Sequence, residues 1–230
     1  MSYWAVPPEF SEDAVAILGC GPSLKGFCAD TLRGVFRVIA INDSFLLAPW
    51  ADILYFCDFS WWKEHRESVL KNFTGTRVCT LENTGIPGIL SLRSTGETGL
   101  ETDPSGIRHG CNSGYQCINL AYHLGAKRIL LLGFDMRVVR GNLHWNIRPG
   151  KQTAEGFQHT LTHAMLPKFG TLREPLREAG VVVLNATPDS ALKVWPYVPL
   201  EKVCWHADNS VFWREIAHQD EKVDYSHSTA

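Results

Sequence analysis

Apolar positions along this chain fall in short unbroken runs. Residues 14–19, 36–41, 53–57, 77–81, 128–132 and 181–184 are each rich in Val, Ile and Leu, with no two-residue period. A strand with one wet face alternates polar and apolar positions, whereas a strand buried on both faces does not. The runs therefore predict strands of a mostly parallel sheet with helices on both faces. Between them the spacing turns helical. In residues 113–124, Tyr115, Ile118, Ala121 and Tyr122 share a face, and Gly125 follows as a stop signal. Residues 61–71 predict another helix. Residues 154–180 predict a third, broken near Pro167 and near Pro175, since proline lacks the helix donor and crowds the preceding turn. Residues 82–111 are Gly/Thr/Ser-rich and aperiodic. They predict a long loop or small subdomain, an insertion of the kind that serves as a lid. The expected fold is α/β and Rossmann-like, a doubly wound sheet in one domain over residues 1–200. A C-terminal extension over 201–230 is expected to be partly disordered, its end from about Asp220 being polar.

The first run ends in Gly19-Cys20-Gly21-Pro22-Ser23-Leu24. Two glycines permit a tight turn and close backbone approach to a ligand. Pro22 fixes the turn, and Ser23 offers a hydroxyl and a helix N-cap. A strand opening through such a turn into a helix is a phosphate-binding arrangement, which makes this first domain a nucleotide-binding candidate. The pattern is neither G-x-G-x-x-G nor a Walker loop.

Composition narrows the classes. The 230 residues carry a net charge of -2, which argues against a protein that holds nucleic acid mainly through a basic face and leaves room for a local basic groove. No apolar stretch is long enough to span a membrane, and the start of the chain does not read as a signal peptide. The seven cysteines form no C-x-x-C pair and lie mostly in apolar runs, as small buried residues of a reducing compartment do. Of the eight tryptophans, most read as packing residues, with one or two available to stack on a ligand.

Ligands of an open parallel sheet bind beyond the carboxyl ends of the strands. Six strand or helix edges there carry Gly, Asn, Asp or Ser: the glycine turn, Asn42-Asp43, Asp58, Asn112-Ser113-Gly114, Gly133-Phe134-Asp135, and the stretch from Asn185 to Ser190. Turn chemistry alone accounts for two or three such edges.

The string of Gly19-Cys20-Gly21-Pro22-Ser23-Leu24, Ile41-Asn42, Asn112-Ser113-Gly114 and Gly125 through Asp135 resembles a known superfamily over most of residues 15–192. Its branches include bacterial sialyltransferases that use CMP-sialic acid, flagellar motility accessory factor glycosyltransferases, and archaeal-type 6-hydroxymethylpterin pyrophosphokinases. Small phage and prophage proteins share the string, so the resemblance implies a phage-type protein acting in the host cytoplasm. It also implies that Gly19, Gly21, Pro22, Ser23 and Asn42 contact a cytidine nucleotide, with Asp58 near its ribose or base. Asn112, Ser113 and Gly114 would meet nucleotide and donor, with Asp135 in the same site, and a histidine, His163 by spacing, would be the base.

The chain departs from the sialyltransferases after the Gly-Phe-Asp segment. Their tyrosine pair is replaced by Arg137, Arg140, His144 and Arg148, groups that can stabilise a leaving phosphate by charge. His144, beside Trp145 in a polar loop, is a second candidate base. His159 and His163 lie four apart, a metal-capable spacing, but without a third ligand they read as a surface pair. Three functions follow. One is a glycosyltransferase with a CMP-linked sugar donor and a hydroxyl acceptor. Another is a pyrophosphokinase with Mg²⁺ on Asp135 or Asp58. The third is a nucleotide-binding protein without turnover. Assembly into homo-oligomers stays open.

Overall fold

The computed structural model describes residues 3–11, 13–81, 87–146 and 153–221. Seven strands form one all-parallel sheet: β1 (Ala14–Leu18), β2 (Arg37–Ile41), β3 (Ile53–Phe56), β4 (Thr76–Cys79), β5 (Ile89–Ser91), β8 (Arg128–Leu132) and β9 (Val182–Asn185). Two further strands, β6 (Arg93–Gly96) and β7 (Gly106–Arg108), pair in parallel as a separate ribbon. The sheet order is β5-β4-β3-β2-β1-β8-β9. The chain runs outward one way from β1 through β5, then restarts on the other side of β1 with β8. The switch point of this Rossmann-like fold therefore lies between β1 and β8, where the crossovers diverge and leave a crevice.

Two cores explain the unbroken apolar runs. Alternate residues of each strand face opposite ways. Val15, Ile17, Ile39, Ile41 and Tyr55 pack on one face with α2 (Ser113–His123) and α4 (Leu166–Glu178). Ala16, Leu18, Val38, Ala40 and Phe56 pack on the other with α1 (Phe59–Asn72), and with Val203 of α5 (Leu200–Trp205) and Trp213 of α6 (Ser210–Glu221). Every residue of β1 is buried, so both sets must be apolar. Residues 201–221 thus add two helices to the second face; 222–230 lie outside the described residues.

Local expectations need correction at two places, the glycine turn and Pro175. No α-helix follows the glycine turn. A single tight turn, Pro22–Leu24, takes its place, with Gly21 at its N-cap position, so Ser23 caps nothing. Pro175 sits inside α4 without ending it. The chain does depart from α geometry before Pro167: α3 (Ala154–Thr160) runs into a wide turn over Leu161–Met165. Residues 87–111 hold the edge strand β5 and the ribbon, which is bonded to α2 through Glu101 N–H to Asn119 Oδ1 (2.9 Å) and Tyr115 Oη–H to Gly99 O (2.9 Å). Residues 82–86 lie outside the described residues. The helix at 113 forms as its pattern requires. Asn112 Oδ1 accepts from the amides of Gly114 (2.7 Å) and Tyr115 (3.2 Å), and Gly125 at φ +88° ends it.

Candidate functional site

A cavity of about 520 Å³ opens at the switch point. Its floor is made by strand ends and the start of α2: Gly19, Gly21 and Pro22 after β1, Asn42 after β2, Asp58 after β3, Asn112-Ser113-Gly114, and Gly133 and Asp135 after β8. Its cover comes from a later segment, with Arg137, Leu143 and His144 from the loop after β8, and Phe157, Leu161 and Met165 from α3 and the wide turn. From the described part of 82–111 only Cys111 reaches the cavity.

The glycine-turn side of the floor is rigid because its polar groups are used internally. The amide of Gly21 donates to Gly133 O (2.8 Å) and that of Gly19 to Leu132 O (2.8 Å). Ser23 gives both its donors to Asp135, N–H to Oδ1 (3.1 Å) and Oγ–H to Oδ2 (2.7 Å). The turn therefore does not present an open row of amides for phosphate. Its glycines serve approach to the neighbouring loop, since a Cβ on Gly21 would lie 2.0 Å from Asp135 Oδ2 and 2.5 Å from Gly133 O. A Cβ on Gly114 would meet the Phe134 ring at 2.5 Å. Burial pushes the Asp135 carboxyl above its ordinary value, against the opposing pull of the Ser23 donors and Arg137. With both oxygens engaged by Ser23, Asp135 is a brace. Among the described residues no group of three or more His, Cys, Asp or Glu can hold a metal ion.

Three groups on the floor face the cavity with chemistry to spare. Asn42 adopts φ +46° with its Oδ1 buried and without a hydrogen-bond partner. Asp58 occupies the N-cap position of α1, yet its carboxylate makes no capping bond and lies exposed at the rim. Ser113 Oγ sits 3.2 Å from Cys57 Sγ. Burial pushes the Cys57 thiol up to about 11 and the Cys20 thiol up to about 12, so both stay protonated and act as small polar walls. Non-glycine residues at positive φ collect here: Asn42, Cys111 (φ +54°) and Met136 (φ +49°) all line the cavity. Such backbone strain concentrates at binding sites.

The cover is tied down at a few points. Trp145 N–H donates to Cys20 O (3.0 Å), Asn146 Nδ2–H to Asp43 Oδ2 (3.4 Å) and Asn112 Nδ2–H to Met165 Sδ (3.3 Å). His144 is exposed and meets Phe157 edge-on, ring centroids 5.4 Å apart. Arg137 stands 3.8 Å from Asp189, and its Nε hydrogen is buried without an acceptor.

Of the residues singled out from sequence, the cavity gathers Gly19, Gly21, Pro22, Asn42, Asp58, Asn112, Ser113, Gly114, Asp135, Arg137 and His144. Ser23 stands behind Asp135. Arg140 and His163 are exposed and do not line it. His163 pairs with His159 on the surface, ring centroids 4.4 Å apart. Arg148 lies outside the described residues. No tryptophan lines the cavity among the described residues. Sequence reasoning missed the apolar cover of Leu143, Phe157, Leu161 and Met165, which a helical pattern does not distinguish from ordinary packing.

No protein-family model and no curated protein matches this sequence. One solved structure aligns over 81% of this chain and 85% of its own, at 16% identity and a TM-score of 0.51. It is the sialyltransferase CstII from Campylobacter jejuni, in complex with a substrate analogue, cytidine-5'-monophosphate. The likeness shows a shared α/β, Rossmann-like fold. No helix of the described residues is long and apolar enough to cross a membrane.

Proposed function

We propose that the protein is a glycosyltransferase that takes a CMP-linked sugar as donor and passes the sugar to an acceptor hydroxyl. The observation that carries this reading is the cavity at the β1/β8 switch point, with a cation and a histidine on its cover above a braced glycine floor. The CMP held by the structural neighbour supports cytidine as the nucleotide.

Each group then has a role. Asn42 Oδ1 takes a donor hydrogen of the nucleotide, which relieves its buried unpaired state. Asp58 accepts from ribose hydroxyls at the rim. The N-terminus of α2 favours the phosphate, although Asn112 already occupies two of its amides. His144 removes the acceptor proton as that oxygen attacks the anomeric carbon. The bond from that carbon to the phosphate oxygen breaks, the configuration inverts, and CMP leaves as Arg137 meets the growing phosphate charge.

A thermal-shift comparison of CMP, ATP and GTP, each with and without Mg²⁺, tests the reading. CMP is expected to raise the melting temperature by a few degrees without Mg²⁺. A shift from ATP that requires Mg²⁺, with none from CMP, overturns it in favour of phosphoryl transfer.

A further inference from the structure

Beside the first cavity lies a second, of about 310 Å³, at the carboxyl end of β9. The two share a wall. Phe134 N–H donates to Thr187 Oγ1 (2.9 Å), Ser190 Oγ–H to Phe134 O (2.5 Å) and Ala191 N–H to Asp135 O (2.8 Å), so the loop after β9 is stitched to the loop after β8. Arg137 lines the first cavity and Asp189 the second, and the two side chains meet through that wall at 3.8 Å.

The far side is fixed as firmly. Asn185 N–H donates to Pro196 O (2.9 Å) and Val198 N–H to Asn185 O (3.0 Å), which holds residues 196–198 alongside β9. The buried polar groups Asn185, Thr187 and Ser190 all have partners within the protein. What remains for a ligand is an apolar trough of Pro188, Pro196, Trp195 and Tyr197, with Asp189 and Lys193 at its edges. Tyr197 is 54% exposed although its backbone is fixed. The Asp189 side chain is 88% exposed on a left-handed backbone, φ +51°. An aromatic face flanked by a carboxylate and an ammonium suits a molecule with an apolar ring face and equatorial hydroxyls.

We propose that this second cavity binds a saccharide ring, stacked on Tyr197 and hydrogen-bonded through its hydroxyls to Asp189 and Lys193. On the glycosyl-transfer reading, on which this role rests, the ring belongs to the acceptor. The Arg137–Asp189 contact then links the acceptor subsite to the donor cavity.

Saturation-transfer difference NMR on the full chain tests the site, with glucose, galactose, N-acetylglucosamine and N-acetylneuraminic acid as probes. At least one is expected to receive saturation. Tyr197→Ala is expected to weaken it roughly tenfold, the loss of one stacked face. Asp189→Asn, whose side chain tolerates the left-handed backbone, is expected to weaken it severalfold. Both positions are exposed, so both variants should keep the wild-type melting temperature. CMP should leave sugar binding in place. Failure of all four sugars to bind, binding indifferent to Tyr197→Ala, or displacement of the sugar by CMP each overturns the proposal. Sugar binding through Tyr197 in a protein that ignores CMP removes the glycosyl-transfer reading and keeps the saccharide site.

Discussion

The floor and the cover of the main cavity are built on opposite plans. Floor residues hang from strand ends that the parallel ladder fixes, and they satisfy one another: Ser23 with Asp135, Gly21 with Gly133, Asn112 with its own helix. Cover residues reach the cavity from a loop, a short helix and a wide turn, joined to the floor by scattered contacts such as Asn112 to Met165. A wide i→i+5 turn inside a helix often marks a functional segment, and here it delivers Leu161 and Met165 to the cavity. The contrast separates two tasks. The floor gives the cavity a fixed shape, while the cover carries Arg137 and His144, the groups proposed to act on a bound molecule. Substitutions in the braced part of the floor should therefore register as stability, and those of the cover's polar groups as turnover.

The largest effect should come from Gly21→Val. The new Cβ would stand 2.0 Å from Asp135 Oδ2 and would split the Ser23–Asp135 brace. Overpacking against backbone and a buried carboxylate costs about 3 kcal/mol or more. The expected result in urea denaturation is a chain folded marginally or not at all. A variant with the wild-type midpoint would mean that the floor is slack, and the comparison would collapse.

His144→Ala should show the reverse signature. The side chain is exposed on the cover, so stability should move by no more than about 0.5 kcal/mol. Donor hydrolysis, with water as acceptor, should fall by roughly a hundredfold or more, as removal of a general base does. CMP affinity should stay within a few-fold, since the base acts on the acceptor proton and not on the nucleotide. Wild-type hydrolysis in this variant would take the base role from His144. His163→Ala is the natural control, because that residue lies on the surface beside His159 and is expected to leave hydrolysis unchanged.

The same division governs what could be read from the chain. The sheet was legible because burial on both faces writes itself as unbroken apolar runs; β1 shows this most plainly. Floor residues were legible because strand ends call for Gly, Asn, Asp and Ser at known places in the order. The edge strand β5 and the ribbon were not, since Ile89–Ser91, Arg93–Gly96 and Gly106–Arg108 are too short for a period to emerge. The purpose of Gly21 was half legible. Its lack of a side chain was evident, but the atom it makes room for, Asp135 Oδ2, sits 114 positions on and is brought there only by the β1–β8 pairing. Which of His144 and His163 reaches the cavity was not legible, since His163 falls in a wide turn that no residue type announces, and that turn leaves it on the surface while His144 lines the cavity.

The smallest effect concerns Asp135 and the pH dependence of stability. Burial raises its carboxyl above the ordinary value, with the Ser23 donors and Arg137 pulling the other way. Because the folded value exceeds the unfolded one, the folded state holds the proton more tightly. This group's contribution is therefore fully present below the unfolded value, is lost as pH rises toward the folded value, and is constant above it. Asp135→Asn keeps the shape and an acceptor for the Ser23 amide, and removes the titration. The Ser23 hydroxyl can rotate to accept from the new amide. The difference in unfolding free energy between wild type and variant, followed from pH 3 to pH 7, is thus expected to shift in the variant's favour as pH rises through the acid range and then level off. A difference that moved in the wild type's favour over that range would mean that the Ser23 donors outweigh burial. Asp135 would then be a stabilised anion, and the floor would carry a fixed negative charge beneath the site where phosphate is proposed to bind.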